Sequence, residues 1–335
     1  MEDILMEHKK HFSKLGLLLL LSSAIIFVVQ FAASKLFNLI PAVSESSNLS
    51  FLVVMLSMYV IAFPIIFKLF EMIPAHTSTE KKKLKPGQIF LAFTICYAAT
   101  YLCNFIGVMI TTVIGMLKQG SVDNVMLELT GSIHPAVNFF IVVLCAPIME
   151  ELLFRKTLLS RTIQYGEGIS ILLSGFTFGL FHGNLNQFVY AFTLGVFFGF
   201  VYVKTRNVLN TILLHMCINF MGSFIGAFII DASNYMEFAN RLTEVMQAGA
   251  SETELLAIIT QYSGGLLIFF LYFLLIMAFV ITGLVLFFVN LRKYKLRPGT
   301  ITIEKGKRFT TVFLNVGMIL YTIFWGVQIV MQLFA

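Results

Sequence analysis

Long apolar runs alternate with short polar or basic stretches along this chain. A helix needs about 20 mostly apolar residues to cross the hydrocarbon core of a bilayer, and most of these runs approach or exceed that length. The pattern predicts nine membrane segments, at about residues 15–33, 51–67, 88–117, 134–165, 168–182, 187–203, 208–230, 266–290 and from 309 to near the end. The fourth is expected to leave the membrane as an amphipathic helix that continues to Tyr165.

Two longer polar stretches interrupt this pattern. Residues 121–132 predict a short surface helix, and residues 231–263 predict an extramembrane connection that is partly amphipathic and rich in carboxylates. No internal repeat is evident. We therefore expect residues 1–335 to form a single transmembrane domain.

Composition supports this reading. Of the 335 residues, 58% are hydrophobic and 12% are charged, which excludes an ordinary soluble domain. We expect an all-α, polytopic transmembrane bundle with about nine spans. The net charge of +6 does not indicate a nucleic-acid partner, because the basic residues are confined to short loops. The cysteines lie in apolar runs without a CxxC pair and are predicted to pack as thiols: Cys96, Cys103, Cys145 and Cys217.

The distribution of lysine and arginine predicts the orientation. The amino terminus and the loops after segments two, four, six and eight are basic, whereas the other loops hold at most an isolated base such as Lys35, Lys118 or Arg241. Basic loops stay on the cytosolic side of a membrane. We therefore predict a multi-pass cell-membrane protein with a cytosolic amino terminus and a carboxyl terminus outside.

A pair of glutamates lies inside the fourth apolar run. A charge there is costly, so such residues usually face the interior of the bundle and have a function. Glu151 and Arg155 are four apart on a helix and can pair, whereas Glu150 points ~100° away from Glu151. Pro147 removes a backbone donor and frees the carbonyl of Val143, which predicts a kink or local hydration beside Glu150.

Two histidines occupy other apolar segments. His182 follows Phe178 by four residues in segment five, and His215 precedes Asn219 by four in segment seven, so each pair shares a helix face. Each histidine alone could mark a helix end or bridge two helices. Together with the glutamates they predict one polar site inside the membrane.

Segments five, six and seven each contain glycines at GxxxG spacing, which lets helices approach closely. The glycine pairs are Gly175–Gly179, Gly195–Gly199 and Gly222–Gly226. We expect all three segments to pack tightly and to hold the site rigidly.

The chemistry open to these residues is limited. A buried carboxylate beside a neutral histidine can deprotonate a water, and a second histidine with an amide can stabilise an oxyanion. No serine or cysteine has a partner arrangement that favours a nucleophile. A set of Glu150, His182 and His215 could alternatively hold zinc, although no HExxH motif is present.

Three motifs resemble those of the CAAX protease and bacteriocin-processing family, also called Abi. They are Glu150-Glu151-x-x-x-Arg155, Phe178-x-x-x-His182 and His215-x-x-x-Asn219, in family order on the fourth, fifth and seventh segments. The resemblance covers less than a third of the chain and places the catalytic motif core at about residues 134–226. Segment nine and the connection 231–263 look additional to the family's usual eight-helix core.

The resemblance implies an intramembrane endopeptidase that cleaves a membrane-associated or lipidated peptide. It implies that Glu150 and His182 activate water, that His215 and Asn219 form an oxyanion hole, and that Glu151 and Arg155 support them. The family has been described both as metal-independent glutamate proteases and as metalloproteases. We expect activity without a cofactor, with zinc as the alternative.

Two other functions fit an intramembrane polar cavity. One is a non-catalytic immunity or scaffold protein that binds a peptide there. The other is a proton- or ion-coupled transporter, since intramembrane Glu and His residues also relay protons. The absence of repeated, paired broken helices counts against a transporter.

Overall fold

The computed structural model describes residues 2–76 and 80–334. Nine apolar helices, which we number α1 to α9, follow the order of the predicted segments. Their bounds are Glu2–Phe37, Ser47–Phe70, Pro86–Leu117, Pro135–Arg161, Glu167–Phe181, Leu185–Thr205, Val208–Ala232, Ser263–Lys293 and Val316–Phe334. The predicted helical bundle of about nine spans is confirmed.

Helix α5 differs from the other eight in length. Those eight are each long and apolar enough to cross a membrane, whereas α5 has 15 residues. At 1.5 Å per residue it covers about 22 Å, less than the ~30 Å hydrocarbon core. Its carboxyl end therefore stops inside the bundle, and this is where His182 lies.

Two predicted boundaries were wrong. Helix α4 ends at Arg161, and a separate, packed 3₁₀ turn, Ile163–Tyr165, stands where an unbroken amphipathic surface helix was predicted. Leu158, Leu159 and Thr162 are completely buried, and Arg161 Nε donates to Phe70 O at 2.8 Å, because this end packs against the end of α2. The last span begins at Val316, since Asn315 Oδ1 accepts from the Met318 N–H and interrupts the predicted run from 309.

Short helices complete the chain outside the long spans. The predicted surface helix is present at Val125–Ser132. The connection 231–263 contains two helices, Tyr235–Gln247 and Glu252–Gln261, and the second begins with a capping box in which Ser251 and Glu254 satisfy each other's backbone N–H groups. Short helices also occur at Pro41–Ser44 and Arg308–Val312.

Glycine contacts bring α5 and α6 together as predicted. A Cβ added to Gly195 would lie 2.7 Å from the Cα of Gly175, and one added to Gly179 would lie 3.0 Å from Phe192 Cβ. The expected packing role of the third pair was wrong. A Cβ on Gly222 would meet nothing within 4 Å, and one on Gly226 would have only ordinary contacts, because both glycines border a cavity.

The last helix packs against the first. Gly16 and Gly317 meet so closely that neither could carry a side chain, and Ser13 Oγ accepts from the Gly317 N–H at 3.0 Å. Trp325 Nε1 donates to Ser23 Oγ at 3.1 Å farther along the same interface. Helix α9 is therefore an integral part of the bundle.

The basic loops meet at one end of the bundle. The Lys82 N–H donates to Thr205 O at 2.8 Å, and the Glu167 N–H donates to Arg297 O at 3.1 Å. Lys204 forms an ion pair with Glu167 across the same surface. We call this the basic end. Loops that the sequence assigned to one side of the membrane are thus neighbours in space.

The remaining loops meet at the opposite end. Lys118 Nζ donates to Leu333 O at 2.7 Å, and Asn186 Nδ2 donates to Asp123 O at 3.3 Å. The His134 N–H donates to Asn48 Oδ1 at 2.6 Å. The bundle therefore sorts its loops into two groups, as the alternating charge pattern requires.

Candidate active site

Helix α4 widens on both sides of the glutamate pair. Residues Phe139–Cys145 and Leu152–Leu158 are π-helical, and the α-helical turn Ala146–Glu151 lies between them. Pro147 sits in that turn and cannot donate to a preceding carbonyl. The π-helical stretch before it accommodates the loss by pairing each N–H with a carbonyl five residues back. The helix is thus irregular on both sides of Glu150, whereas the predicted kink or local hydration there stays a prediction.

Glu151 and Arg155 form a completely buried ion pair. Arg155 Nε lies 3.1 Å from Glu151 Oε2, and both side chains have 0% exposure. The other face of the guanidinium lies against aromatic rings, with its carbon 4.4 Å from the centroid of Phe178 and 5.6 Å from that of Phe198. No nitrogen of Arg155 has a hydrogen-bond partner among the described residues, so the ion pair and cation–π attraction hold the guanidinium.

His215 connects the two glutamates. Its Nδ1 lies 3.1 Å from Glu151 Oε1, and its Nε2 lies 3.8 Å from Glu150 Oε2. The Glu150 side chain is 18% exposed, compared with 0% for that of Glu151. Glu150 therefore faces open space, whereas Glu151 is enclosed between His215 and Arg155.

A tight turn between α5 and α6 holds His182. Its Nδ1 lies 2.9 Å from Phe178 O. A carbonyl can only accept, so Nδ1 carries a proton, and in the neutral ring Nε2 is an acceptor. Gly183 follows with φ 67°, and a Cβ there would also lie 3.0 Å from the Trp325 ring, so this position requires glycine.

Asn219 lies one helical turn beyond His215, and the π-helical stretch Phe220–Ile225 follows it. Its Nδ2 donates to Val142 O at 2.9 Å, a carbonyl within the first π-helical stretch of α4. One of the two amide protons of Asn219 therefore forms a hydrogen bond that links α7 to α4. The second amide proton takes no part in that hydrogen bond.

All four predicted catalytic residues border one cavity of about 700 Å³. They are Glu150, His182, His215 and Asn219. The rest of the lining is mainly aromatic and aliphatic and comes from all nine helices. The structure thus brings the predicted residues together, with Glu151 and Arg155 packed behind them.

The sequence reasoning missed three polar residues at the start of α6. Asn184 Nδ2 donates to His182 O at 2.9 Å and to Gln187 Oε1 at 2.6 Å. Gln187 Nε2 donates to the Tyr190 hydroxyl at 2.9 Å. The Tyr190 oxygen therefore accepts, and its own proton is free to donate into the cavity. Asn184, Gln187 and Tyr190 are three residues apart within the motif region, and this spacing could have predicted that they share a helix face.

The next feature is the placement of side chains that could bind a zinc ion. In the part of the chain that the structure describes, no three His, Cys, Asp or Glu side chains are placed to hold a metal ion together. His215 already uses Nδ1 toward Glu151, and His182 uses Nδ1 toward Phe178 O. These contacts leave Nε2 of each histidine available, as in a typical metal-binding imidazole, so the alternative ligand set of Glu150, His182 and His215 stays a prediction.

Comparison with protein families bears on the same region. Residues 132–221 match the family described as "Type II CAAX prenyl endopeptidase Rce1-like". This stretch is therefore similar to an Rce1-like domain. This confirms the resemblance to the CAAX protease family. Comparisons with curated proteins and with solved structures gave no match.

The stretch similar to an Rce1-like domain covers α4 to the middle of α7 and includes all six motif residues. Such a domain indicates an intramembrane protease of the CAAX type in general, within a lipid bilayer and with a membrane-associated substrate. Helices α1 to α3, α8 and α9 lie outside the matched region, yet each contributes to the cavity wall.

Proposed function

We propose that the protein is an intramembrane endopeptidase in which Glu150 activates a water to cleave a membrane-associated or lipidated peptide. The observation that carries this proposal is the position of Glu150. Its carboxylate faces the cavity and lies 3.8 Å from His215 Nε2. A carboxylate with accessible space and a nearby histidine can act as a general base.

Charge balance supports this role. Glu151 is paired with Arg155, so these two charges cancel. The other pair, Glu150 and His215, is neutral overall whether the shared proton lies on the carboxyl or makes His215 an imidazolium. Both forms avoid a net charge inside the membrane, where it would be costly. A proton can therefore move within the site without changing its total charge.

The reaction begins with ionised Glu150 and protonated His215. Water attacks the peptide carbonyl carbon while Glu150 takes the water proton, which gives a tetrahedral oxyanion and a neutral carboxyl. His215 donates through Nε2 to that oxyanion, and Glu151 accepts from its Nδ1. When the C–N bond breaks, the Glu150 proton passes to the leaving nitrogen, and the products are an acid and an amine.

His182 and Asn219 take the remaining roles. The Nε2 of His182 is an acceptor and can hold the second hydrogen of the attacking water, which fixes its orientation. The uncommitted amide proton of Asn219 can donate to the same oxyanion as His215. Both roles agree with the pairs that the family resemblance implies.

The test is cleavage of a membrane-anchored peptide library by the full purified chain, compared with Glu150→Gln. We expect the substitution to abolish turnover while the protein remains folded, because glutamine cannot take a proton. Glu244→Gln, which changes a carboxylate that is 68% exposed outside the spans, serves as the matched control.

Wild-type turnover by Glu150→Gln would contradict the proposed mechanism. Peptide binding without cleavage by the unaltered protein would instead favour the non-catalytic immunity or scaffold function.

A further inference from the structure

The cavity extends from Glu150 toward one end of the bundle only. At its far end it is bordered by Asn124, Leu129, Ile230 and Phe269. The first two follow α3, and the other two lie at the end of α7 and the start of α8. All four belong to the end opposite the basic loops.

The way to the basic end is closed. Between the glutamates and the basic end, the side chains of Leu153, Phe154 and Leu158 have at most 1% exposure. Arg155 fills the space between the rings of Phe178 and Phe198. None of the described residues in the basic loops 71–85, 161–166, 205–207 and 291–308 borders the cavity. A peptide therefore has no open path to Glu150 from that side.

The charge difference between the ends is large. Of the 23 lysines and arginines, only Lys35, Lys118 and Arg241 belong to loops at the cavity end. The other end therefore faces the cytosol by the positive-inside rule.

The cavity wall carries almost no charge. Among the described residues that line it, the ionisable ones apart from tyrosines are Glu150, His182 and His215. Its other polar groups are neutral amides and hydroxyls, including Asn104, Asn124 and Asn186. A charged side chain bound there would lose its hydration without gaining a partner of opposite charge, except at Glu150 itself.

We infer that the cavity admits its substrate from the outer side of the membrane, and that the cleaved segment is an uncharged stretch of a peptide presented on that side. That the ligand is a peptide rests on the proposed function. The side of entry rests separately on the shape of the cavity and on the charge of the loops.

Matched glycine-to-cysteine variants test the side of entry. In a chain whose four cysteines are replaced by alanine, Gly222→Cys puts a thiol on the cavity wall. Gly264→Cys puts one on the exposed cavity end, and Gly306→Cys puts one on the exposed basic end. An added Cβ meets nothing within 4 Å at any of these three positions, so each variant should fold.

The reagent is a small, cationic, membrane-impermeant methanethiosulfonate, applied to right-side-out and inverted membrane vesicles. We expect Gly222→Cys and Gly264→Cys to react in right-side-out vesicles, and Gly306→Cys to react in inverted ones. Reaction of Gly222→Cys together with Gly306→Cys would overturn the inference. So would exchanged behaviour of the two controls, or a Gly222→Cys thiol that reacts only in detergent.

Two membrane-anchored peptides test the substrate class. Both carry one apolar sequence outside the membrane, and one of them has a lysine and an aspartate beside the cleaved bond. We expect the charged peptide to be cleaved at least ~10-fold more slowly, because its charges must be desolvated. Equal rates would overturn the uncharged-segment part of the inference. The labelling needs no activity, so failure of cleavage alone would count against the proposed function and leave the side of entry intact.

Discussion

Glu151 and Arg155 form an ion pair wholly inside the bundle, and removing either partner should destabilise the protein strongly. With the two atoms 3.1 Å apart and an effective dielectric constant of about 20, their attraction is about 5 kcal/mol. Desolvation of both charges offsets much of this gain. Replacing one partner leaves the other charge unpaired, so Glu151→Gln or Arg155→Met should each cost ~3–5 kcal/mol of unfolding free energy.

The double variant should behave differently. With both charges removed, no unpaired charge remains. The double variant should therefore lose at least ~2 kcal/mol less unfolding free energy than the two single variants lose together. Its turnover should stay low, since His215 Nδ1 has lost its carboxylate acceptor. Recovery of stability without recovery of activity would separate the structural role of the pair from its support of His215.

The assay is unfolding in mixed detergent micelles by titration with a denaturing detergent, followed by fluorescence. Trp325 is the single tryptophan and is buried against α1, so its emission reports the folded bundle. Unfolding free energies equal to wild type in both single variants would refute the reasoning. Strict additivity within ~0.5 kcal/mol in the double variant would also refute it.

Three further predictions concern packing, a donor and metal. Gly195→Ala should cost ~1–3 kcal/mol of stability, because its Cβ would lie 2.7 Å from the Cα of Gly175. Gly326→Ala is the control, since a Cβ there meets nothing within 4 Å. Equal unfolding free energies of the two variants would contradict the close contact at Gly195. Tyr190→Phe should lower turnover by up to ~100-fold, because its proton no longer serves the site, and should also cost ~1–3 kcal/mol of stability, because Gln187 Nε2 loses its acceptor. Tyr321→Phe, whose hydroxyl donates to Thr177 O away from the cavity, should not lower turnover. Thorough chelation should leave turnover unchanged, since the proposed base needs no metal; activity restored only by added zinc would refute this.

The glutamates point in different directions because successive residues of an α-helical turn are ~100° apart, and π-helical stretches flank that turn. These stretches lie directly before and after the turn that holds Glu150 and Glu151. A third stretch follows Asn219 on α7. Such widened turns expose carbonyls such as Val142 O, which Asn219 binds. Local helix geometry and the contact between α4 and α7 are therefore coupled.

The sequence by itself determined the helical class, the approximate spans and four polar residues that border one cavity. Apolar runs long enough for a bilayer predict helices directly, because backbone groups in lipid must be paired within the segment. The four-residue spacing predicted the Glu151–Arg155 pair, since both residues lie on one helix. The alternation of basic loops predicted which loops lie together at each end.

Only the tertiary structure decided the contacts between helices. Periodicity shows which residues share a face but not which helix lies opposite, because that depends on tilt, crossing angle and the widened turns. His215 thus connects both glutamates, and Asn219 ties α7 to α4. The same spacing of glycines packs α5 against α6 but borders open space on α7. The cavity follows from these contacts between helices, which no one segment contains.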